Sequence, residues 1–229
     1  MSSVIDDICE LLNSYNGRDK VLRLACYTFK LYGCLKNRKE WQAAGSRLST
    51  ARLMLRLFDD IPMMRHIYNY GFGKHETSTI AAILGLLANI VDQMFLPVEK
   101  ACWLHDVGIL KLSDDMAYRL ETLSTALWAA SLYIALVQTG QSIKQLCWSR
   151  ECLQSTESDS AVRRSIDRRV ALQTATAAKL CLDLVHAVSC LPRGYLWGEA
   201  VTPTKVAAIA TTSSLMGIAL YFVKKRFVK

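Results

Sequence analysis

VAAIATTSSLMGIALYFV, residues 206–223, is the stretch that decides the fold class of this chain. It holds eighteen residues without a charge and lies between Lys205 and Lys224. A helix rises about 1.5 Å per residue, so about 20 mostly apolar residues cross about 30 Å of hydrocarbon. The two lysines can extend to the headgroups and make up the difference. A buried core helix is the alternative, but the absence of a polar stripe favours a transmembrane helix at 206–223, followed by a basic tail at 224–229.

Two further apolar stretches precede this one. LSTALWAASLYIALV (123–137) holds fifteen charge-free residues, or seventeen with one polar residue at each end. This length is marginal for a span and predicts a first transmembrane helix at 122–139, one leg of a hairpin with the C-terminal span. IAAILGLLANIV (80–91) is strongly apolar but short, and Asp92 follows it. It predicts a buried or interfacial helix, in which Asp92 is either a functional carboxylate or, more commonly, a hydrogen-bonded group at the helix edge.

The segment at 140–168 is polar and basic, and it predicts a flexible linker. QSTESDS (154–160) is small and polar, and RRSIDRR (163–169) is basic. A helix is predicted to follow over about 169–191, with an apolar stripe on one face and His186 exposed to solvent on the other.

SRLSTARLMLRLFDDIP (46–62) has the pattern of an amphipathic helix that ends at Pro62. Arg52 and Arg56 lie on its polar face, where guanidinium groups can contact lipid headgroups. Two interpretations are equally open: an interfacial helix that inserts its apolar arc into a membrane, and a core-facing helix of a small bundle. The candidate membrane-inserting residues are Leu48, Ala51, Met54, Leu55, Phe58 and Ile61.

Positive charge is unevenly distributed along the chain. The formal net charge is +8, and residues 18–56 alone carry ten basic and two acidic residues. Such a block favours contact with anionic lipid or phosphate. Nucleic acid is not predicted as a partner, because basic residues interleaved with aromatic ones and known nucleic-acid modules do not occur.

The sequence lacks the motifs of common enzymes. It contains no P-loop, zincin motif, nucleophile elbow or dinucleotide fingerprint, so we expect no enzymatic activity and no cofactor. Eight cysteines form no CxxC pair, and only four histidines are present. We therefore expect reduced thiols and no metal site.

Four motifs, in this order, resemble one family. They are GRDKVLRLACY (17–27), SRLSTARLMLRLFDD (46–60), LANIVDQMFLPVEKACWL (87–104) and LPRGYLW (191–197). Together with the apolar C-terminal stretch, they resemble the peroxisomal membrane elongation proteins of the eleventh-peroxin family, and its gamma type most closely. The resemblance extends over most of the chain and leaves out 140–168 and the extreme tail.

The resemblance implies an all-α, multi-pass protein of the peroxisomal membrane that promotes membrane protrusion, elongation and fission. Its membrane-inserting amphipathic helix maps by position to Arg47–Ile61. The family has two spans with both termini cytosolic. This places an amphipathic helical region at 1–121 in the cytosol and the linker and amphipathic helix at 140–205 in the lumen.

The same resemblance implies the partners. These are membrane lipids, further copies of the chain and related family members, and fission adaptors with a dynamin-like GTPase. An alternative function stays open: an oligomeric peroxisomal channel or metabolite-transport component, in which Asp92 and polar residues of the hairpin line a path.

Overall fold

The computed structural model describes residues 4–73, 76, 78–153 and 157–228, which form helices joined by loops and contain no strand. This confirms the predicted all-α class. The chain divides into two compact units, residues 1–60 with 188–229, and residues 61–187. The helices are α1 (Val4–Asn13), α2 (Tyr15–Lys36), α3 (Lys39–Leu55), a 3-10 turn (Arg56–Phe58), α4 (Asp60–Tyr70), α5 (Thr79–Asp106), α6 (Asp114–Glu151), α7 (Glu157–Ser189) and α8 (Pro203–Val228).

In the first unit, α2 and α3 form a tight hairpin. Asn37 ends α2 in the left-handed conformation, with φ of 50°, which asparagine tolerates better than most residues. Glycines allow the two helices to approach closely, since a Cβ added to Gly45 would lie 3.0 Å from the carbonyl oxygen of Cys26. Trp41 of α3 then packs edge-on against Phe29 of α2, with ring centroids 5.1 Å apart.

The C-terminal helix α8 belongs to the same unit and packs along α2. Small side chains allow close packing of helices, in lipid as well as in water. Small residues on α8 therefore allow α2 and α8 to pack closely side by side. Over 203–226, the part of α8 whose side chains are described, the buried residues are all small: Ala207, Ala210, Ser213, Ser214 and Gly217.

In the second unit, α6 packs against α5 and also contacts α7. The loop between α5 and α6 is short, so these two helices are antiparallel. On the α7 side, Arg150 pairs with Asp167 at 2.8 Å, and the edge of the His186 ring meets Trp128 with centroids 5.5 Å apart. The predicted solvent exposure of His186 is therefore wrong: the residue is 5 % exposed because it packs against an aromatic ring.

Within the part of the chain that the structure describes, three helices are long and apolar enough to cross a membrane: α5, α6 and the Pro203–Arg226 part of α8. The sequence predicted two, and the helix at 80–91 was interpreted as too short. It is longer because α5 continues through Asp92 and Pro97 to Asp106. The predicted hairpin also has a different pairing, since the helix that packs on α6 within its unit is α5.

The predicted linker is mainly helical. α6 continues to Glu151 and α7 begins at Glu157, so helix covers most of 140–168. The prediction of a flexible linker rested on polar composition, which does not distinguish a loop from an exposed helix, since such a helix is polar on much of its surface. Residues 154–156 of the predicted linker, and Lys229 of the predicted tail, lie outside the described residues.

The predicted amphipathic helix at 47–61 is interrupted. The hydroxyl of Tyr15 donates to the carbonyl oxygen of Leu55 at 3.0 Å, and the N–H of Asp59 bonds to Arg56 instead, also at 3.0 Å. This produces the 3-10 turn between α3 and α4. Pro62 does not end a helix but lies in the first turn of α4, where a missing N–H costs no hydrogen bond.

Candidate membrane-interacting surfaces

The predicted membrane-inserting residues fall into two groups. Leu48, Ala51 and Leu55 are half-buried on α3, the helix that packs on α2. Met54 and Phe58 are exposed in the first unit, Phe58 to 79 %. Ile61 belongs to the second unit and is 74 % exposed. The half-buried group fits the bundle interpretation, and the exposed group is available to a membrane.

Arg52 is engaged inside the first unit. Its Nε lies 2.8 Å from Oδ1 of Asp19, and its Nη2 lies 3.3 Å from Oδ2, a two-point contact between α3 and α2. Burial acts to lower the pKa of Arg52, but the hydrogen bond to Asp19 leaves that pKa raised. The side chain is only 13 % exposed. The geometry suits a helix-pairing role, and the predicted headgroup contact of Arg52 stays a prediction.

Arg56, the other predicted headgroup residue, lies in the 3-10 turn and is half-buried. Its charge acts on the hydroxyl of Tyr15, whose pKa is raised to about 12. Partial burial of Tyr15 is the main cause of the shift, and its hydrogen bond to Asp59 adds to it, while Arg56 opposes it. The junction between α3 and α4 is therefore held from α2.

A second apolar surface lies on α4. Ile61, Met64 and Tyr68 follow one another at three and four residues, so they share one face of the helix, and all three are exposed. The sequence pattern does not predict this face, because it places the helix end at Pro62. The signal was present: Pro is common in the first turn of a helix, and Asp59 and Asp60 precede it.

The longest exposed apolar stripe belongs to α5. Its members recur at three and four residues over most of the helix, which is the pattern of a surface that faces lipid or a partner. The polar residue in the middle of α5 is satisfied internally, as the hydroxyl of Ser131 donates to Oδ1 of Asp92 at 2.6 Å. The stripe consists of Ile80, Ile83, Leu87, Ile90 and Met94.

This hydrogen bond agrees with the commoner of the two interpretations of Asp92. The carboxylate serves as a bonded group between α5 and α6, as the commoner alternative predicted. Ionisable residues in spans commonly pair in this way, inside a bundle. The channel hypothesis stays untested.

Comparison with known proteins fits a membrane protein of this kind. The family model for "Peroxisomal biogenesis factor 11 (PEX11)" matches residues 5–222. The chain belongs to the PEX11 family. It is 30 % identical to the human "Peroxisomal membrane protein 11C" over 229 aligned positions, which cover 93 % of this chain and 92 % of the relative. The mouse protein of the same name is 28 % identical, with the same coverage of both chains. No solved structure matches the chain significantly.

Membership of the PEX11 family confirms the predicted resemblance, and the 11C relatives agree with the gamma type. This PEX11-family chain is a peroxisomal membrane protein of the proliferation kind, and its family is one of peroxisome biogenesis factors. The three candidate spans agree with a location in the peroxisomal membrane.

Proposed function

We propose that this PEX11-family chain elongates the peroxisomal membrane, and so leads to fission, by inserting apolar side chains from 54–58 into one leaflet. One observation carries the proposal: large apolar residues in this segment are exposed on the folded protein, with Phe58 at 79 %. Burying a side chain of this size is worth about 1.5–3 kcal/mol. A wedge in one leaflet expands that leaflet and favours curvature. No enzymatic step or cofactor is required.

The half-buried residues of α3 give this wedge a rigid base. Leu48, Ala51 and Leu55 hold α3 in the first unit, and the 3-10 turn then presents Phe58 beyond the packed surface. We propose that Arg56 meets headgroups once Phe58 is inserted, because it lies in the same turn. In this arrangement both interpretations of 46–62 hold for part of the segment. The half-buried residues of α3 face the bundle, and Phe58 inserts into the membrane.

Self-association and recruited partners complete the proposal. Copies of the chain and related family members concentrate the wedges along a tubule. Fission adaptors and a dynamin-like GTPase then cut it. The support for these partners is the family resemblance, and the exposed apolar stripe of α5 offers a surface on which copies can meet.

We propose that both termini are cytosolic, which requires an even number of spans. The α5–α6 hairpin supplies two, while α8 packs on α2 in the first unit. Protease protection on intact peroxisomes, with an epitope tag at each terminus, tests this topology. Cleavage of both tags supports it, and protection of one tag shows an odd number of spans, with α8 crossing as well.

The wedge is tested by Phe58→Glu in cells that report peroxisome length. We expect normal targeting and loss of elongation, because a charge opposes burial in lipid. Leu196→Glu is the matched control: Leu196 is also 79 % exposed but lies in the loop before α8. Normal elongation with Phe58→Glu, or equal loss with both variants, contradicts the assignment.

A further inference from the structure

An open cavity of about 390 Å³ lies between α6 and α7, lined by polar side chains and by Leu146 and Leu172. Ser142, Gln145 and Ser149 line it from α6, and Arg169 and Gln173 line it from α7. The α6 residues are three and four positions apart and so share one face of the helix. This face continues past the apolar part of α6 and belongs to no surface described above.

The charge of the cavity is positive. Arg169 is the one cation among the described lining residues, and those residues include no carboxylate. The nearest acidic residue in the sequence, Asp167, is paired with Arg150 at 2.8 Å. Its negative charge is thereby balanced. Glu76 lines an adjoining cavity that shares Ser142 and Gln145, so an anion beside Arg169 meets no carboxylate in the lining of its own cavity.

The two serines offer acceptors. The hydroxyl of Ser142 donates to the carbonyl oxygen of Gln138 at 3.0 Å, and that of Ser149 donates to the carbonyl of Gln145 at 2.9 Å. Each hydroxyl oxygen therefore keeps lone pairs for a donor in the cavity. A ligand that fits both ends carries an anionic group for Arg169 and free hydroxyl groups for the serines.

The position of the cavity along α6, relative to the apolar part of that helix, indicates the source of this ligand. The charge-free part of α6 extends to Ile143, so Ser142 lies at its end and Ser149 lies about 9 Å beyond it at 1.5 Å per residue. The headgroup layer begins at the end of the hydrocarbon and is several ångströms thick. Trp148 is exposed in this region, and tryptophan is enriched at the membrane–water interface.

We propose that the α6–α7 cavity binds the headgroup of an anionic phospholipid that carries free hydroxyl groups, as an inositol phospholipid does. The lipid phosphate pairs with Arg169, and the ring hydroxyls donate to Ser142 and Ser149. The amides of Gln145 and Gln173 complete the contacts. The site rests on α6 spanning the membrane and does not depend on the insertion of Phe58.

The test uses the full chain, purified in mild detergent and incubated with vesicles of phosphatidylcholine alone, or mixed with phosphatidylserine or phosphatidylinositol. Native mass spectrometry counts the lipid retained. We expect preferential retention of phosphatidylinositol, and about a tenfold loss with Arg169→Gln, as expected for one charged hydrogen bond. Ser142→Ala with Ser149→Ala should remove the preference over phosphatidylserine.

Arg163→Gln is the matched control, because Arg163 is an exposed arginine of the same basic segment outside the cavity. Equal losses with Arg163→Gln and Arg169→Gln would show diffuse charge attraction and overturn the site. Equal retention of the two anionic lipids would overturn the hydroxyl contacts. Inorganic phosphate is added in a separate arm, and displacement of the lipid by phosphate alone would show an anion site without lipid specificity. Elongation in cells is a separate readout, so failure here leaves the wedge proposal unaffected.

Discussion

Lys225 of α8 contacts Asp7 of α1, with 2.7 Å between its Nζ and the Oδ1 of the carboxylate. The same Nζ lies 2.5 Å from Oε2 of Glu10, so one ammonium group joins the last helix to the first. One turn earlier, the ring of Tyr221 lies 5.8 Å from the ammonium of Lys20 on α2. The helices α1 and α8 are thus held together in the first unit.

Reversing the acidic partners should detach the two ends. In Asp7→Lys with Glu10→Lys, we expect faster amide hydrogen exchange in α1, because Lys225 then meets two like charges. Adding Lys225→Glu should restore slow exchange. If the double variant exchanges as slowly as the wild type, the contact does not hold α1.

The pairing of Arg52 with Asp19 should contribute to stability. We expect Arg52→Gln to lower the free energy of unfolding by about 1–3 kcal/mol, the range for hydrogen bonds to charged groups. Arg119→Gln is the control, since its pair with Asp115 is exposed and should contribute about 0.5 kcal/mol or less. Denaturant unfolding in mild detergent measures both. If Arg52→Gln is no less stable than Arg119→Gln, the pair with Asp19 does not stabilise the fold, and the predicted headgroup contact of Arg52 is favoured instead.

Close packing between α2 and α3 should make Gly45 sensitive to a single added carbon. We expect Gly45→Ala to destabilise the first unit by about 1–3 kcal/mol, because the Cβ would lie 3.0 Å from the carbonyl oxygen of Cys26. Gly140→Ala is the control: no atom lies within 4 Å of its added Cβ, and alanine favours helix by up to about 1 kcal/mol. In thermal unfolding, we expect a lower midpoint temperature for Gly45→Ala and an unchanged or higher one for Gly140→Ala.

The junction after α3 should weaken at high pH. The pKa of Tyr15 is raised from 10.0 to about 12, mainly by partial burial and then by Asp59, so the fold favours the neutral phenol. This contribution to stability is complete below pH 10.0 and is lost as pH rises through about 12. Tyr15→Phe should flatten the stability profile in this window. Tyr195→Phe, an exposed tyrosine before α8, should leave it unchanged.

Removing α8 should not release the chain from membranes. We expect a variant lacking 203–229 to stay in the pellet after an alkaline carbonate wash, because the α5–α6 hairpin keeps two candidate spans. Immunoblots of pellet and supernatant decide the matter. Recovery in the supernatant would make α8 the principal anchor, as the isolated sequence of 206–223 suggests.

Much of the fold could be predicted from local pattern. The segments predicted as spans, 122–139 and 206–223, fall within the helices α6 and α8, because an uninterrupted apolar run is visible in the sequence. The length of α5 could not be predicted, because the residue that satisfies Asp92 is Ser131, thirty-nine positions away.

The candidate membrane-inserting segment also depends on contacts between residues that are far apart in the sequence. Spacing placed six residues on one arc, but it could not show that Tyr15 takes the carbonyl of Leu55 and interrupts the helix. Nor could it show that Asp19 holds Arg52. Both partners lie in α2, and only folding brings them within reach. What the pattern did identify is the segment from which Phe58 projects.

The bond between Ser131 and Asp92 also constrains how the protein enters a bilayer. Asp92 lies near the middle of α5, where a lone carboxylate opposes insertion by about 2.5–3.5 kcal/mol. Its hydrogen-bond partner, Ser131, is on the next helix, so this bond can form only after α6 has been synthesised. We therefore expect α5 and α6 to enter a bilayer together, with Asp92 already bonded to Ser131.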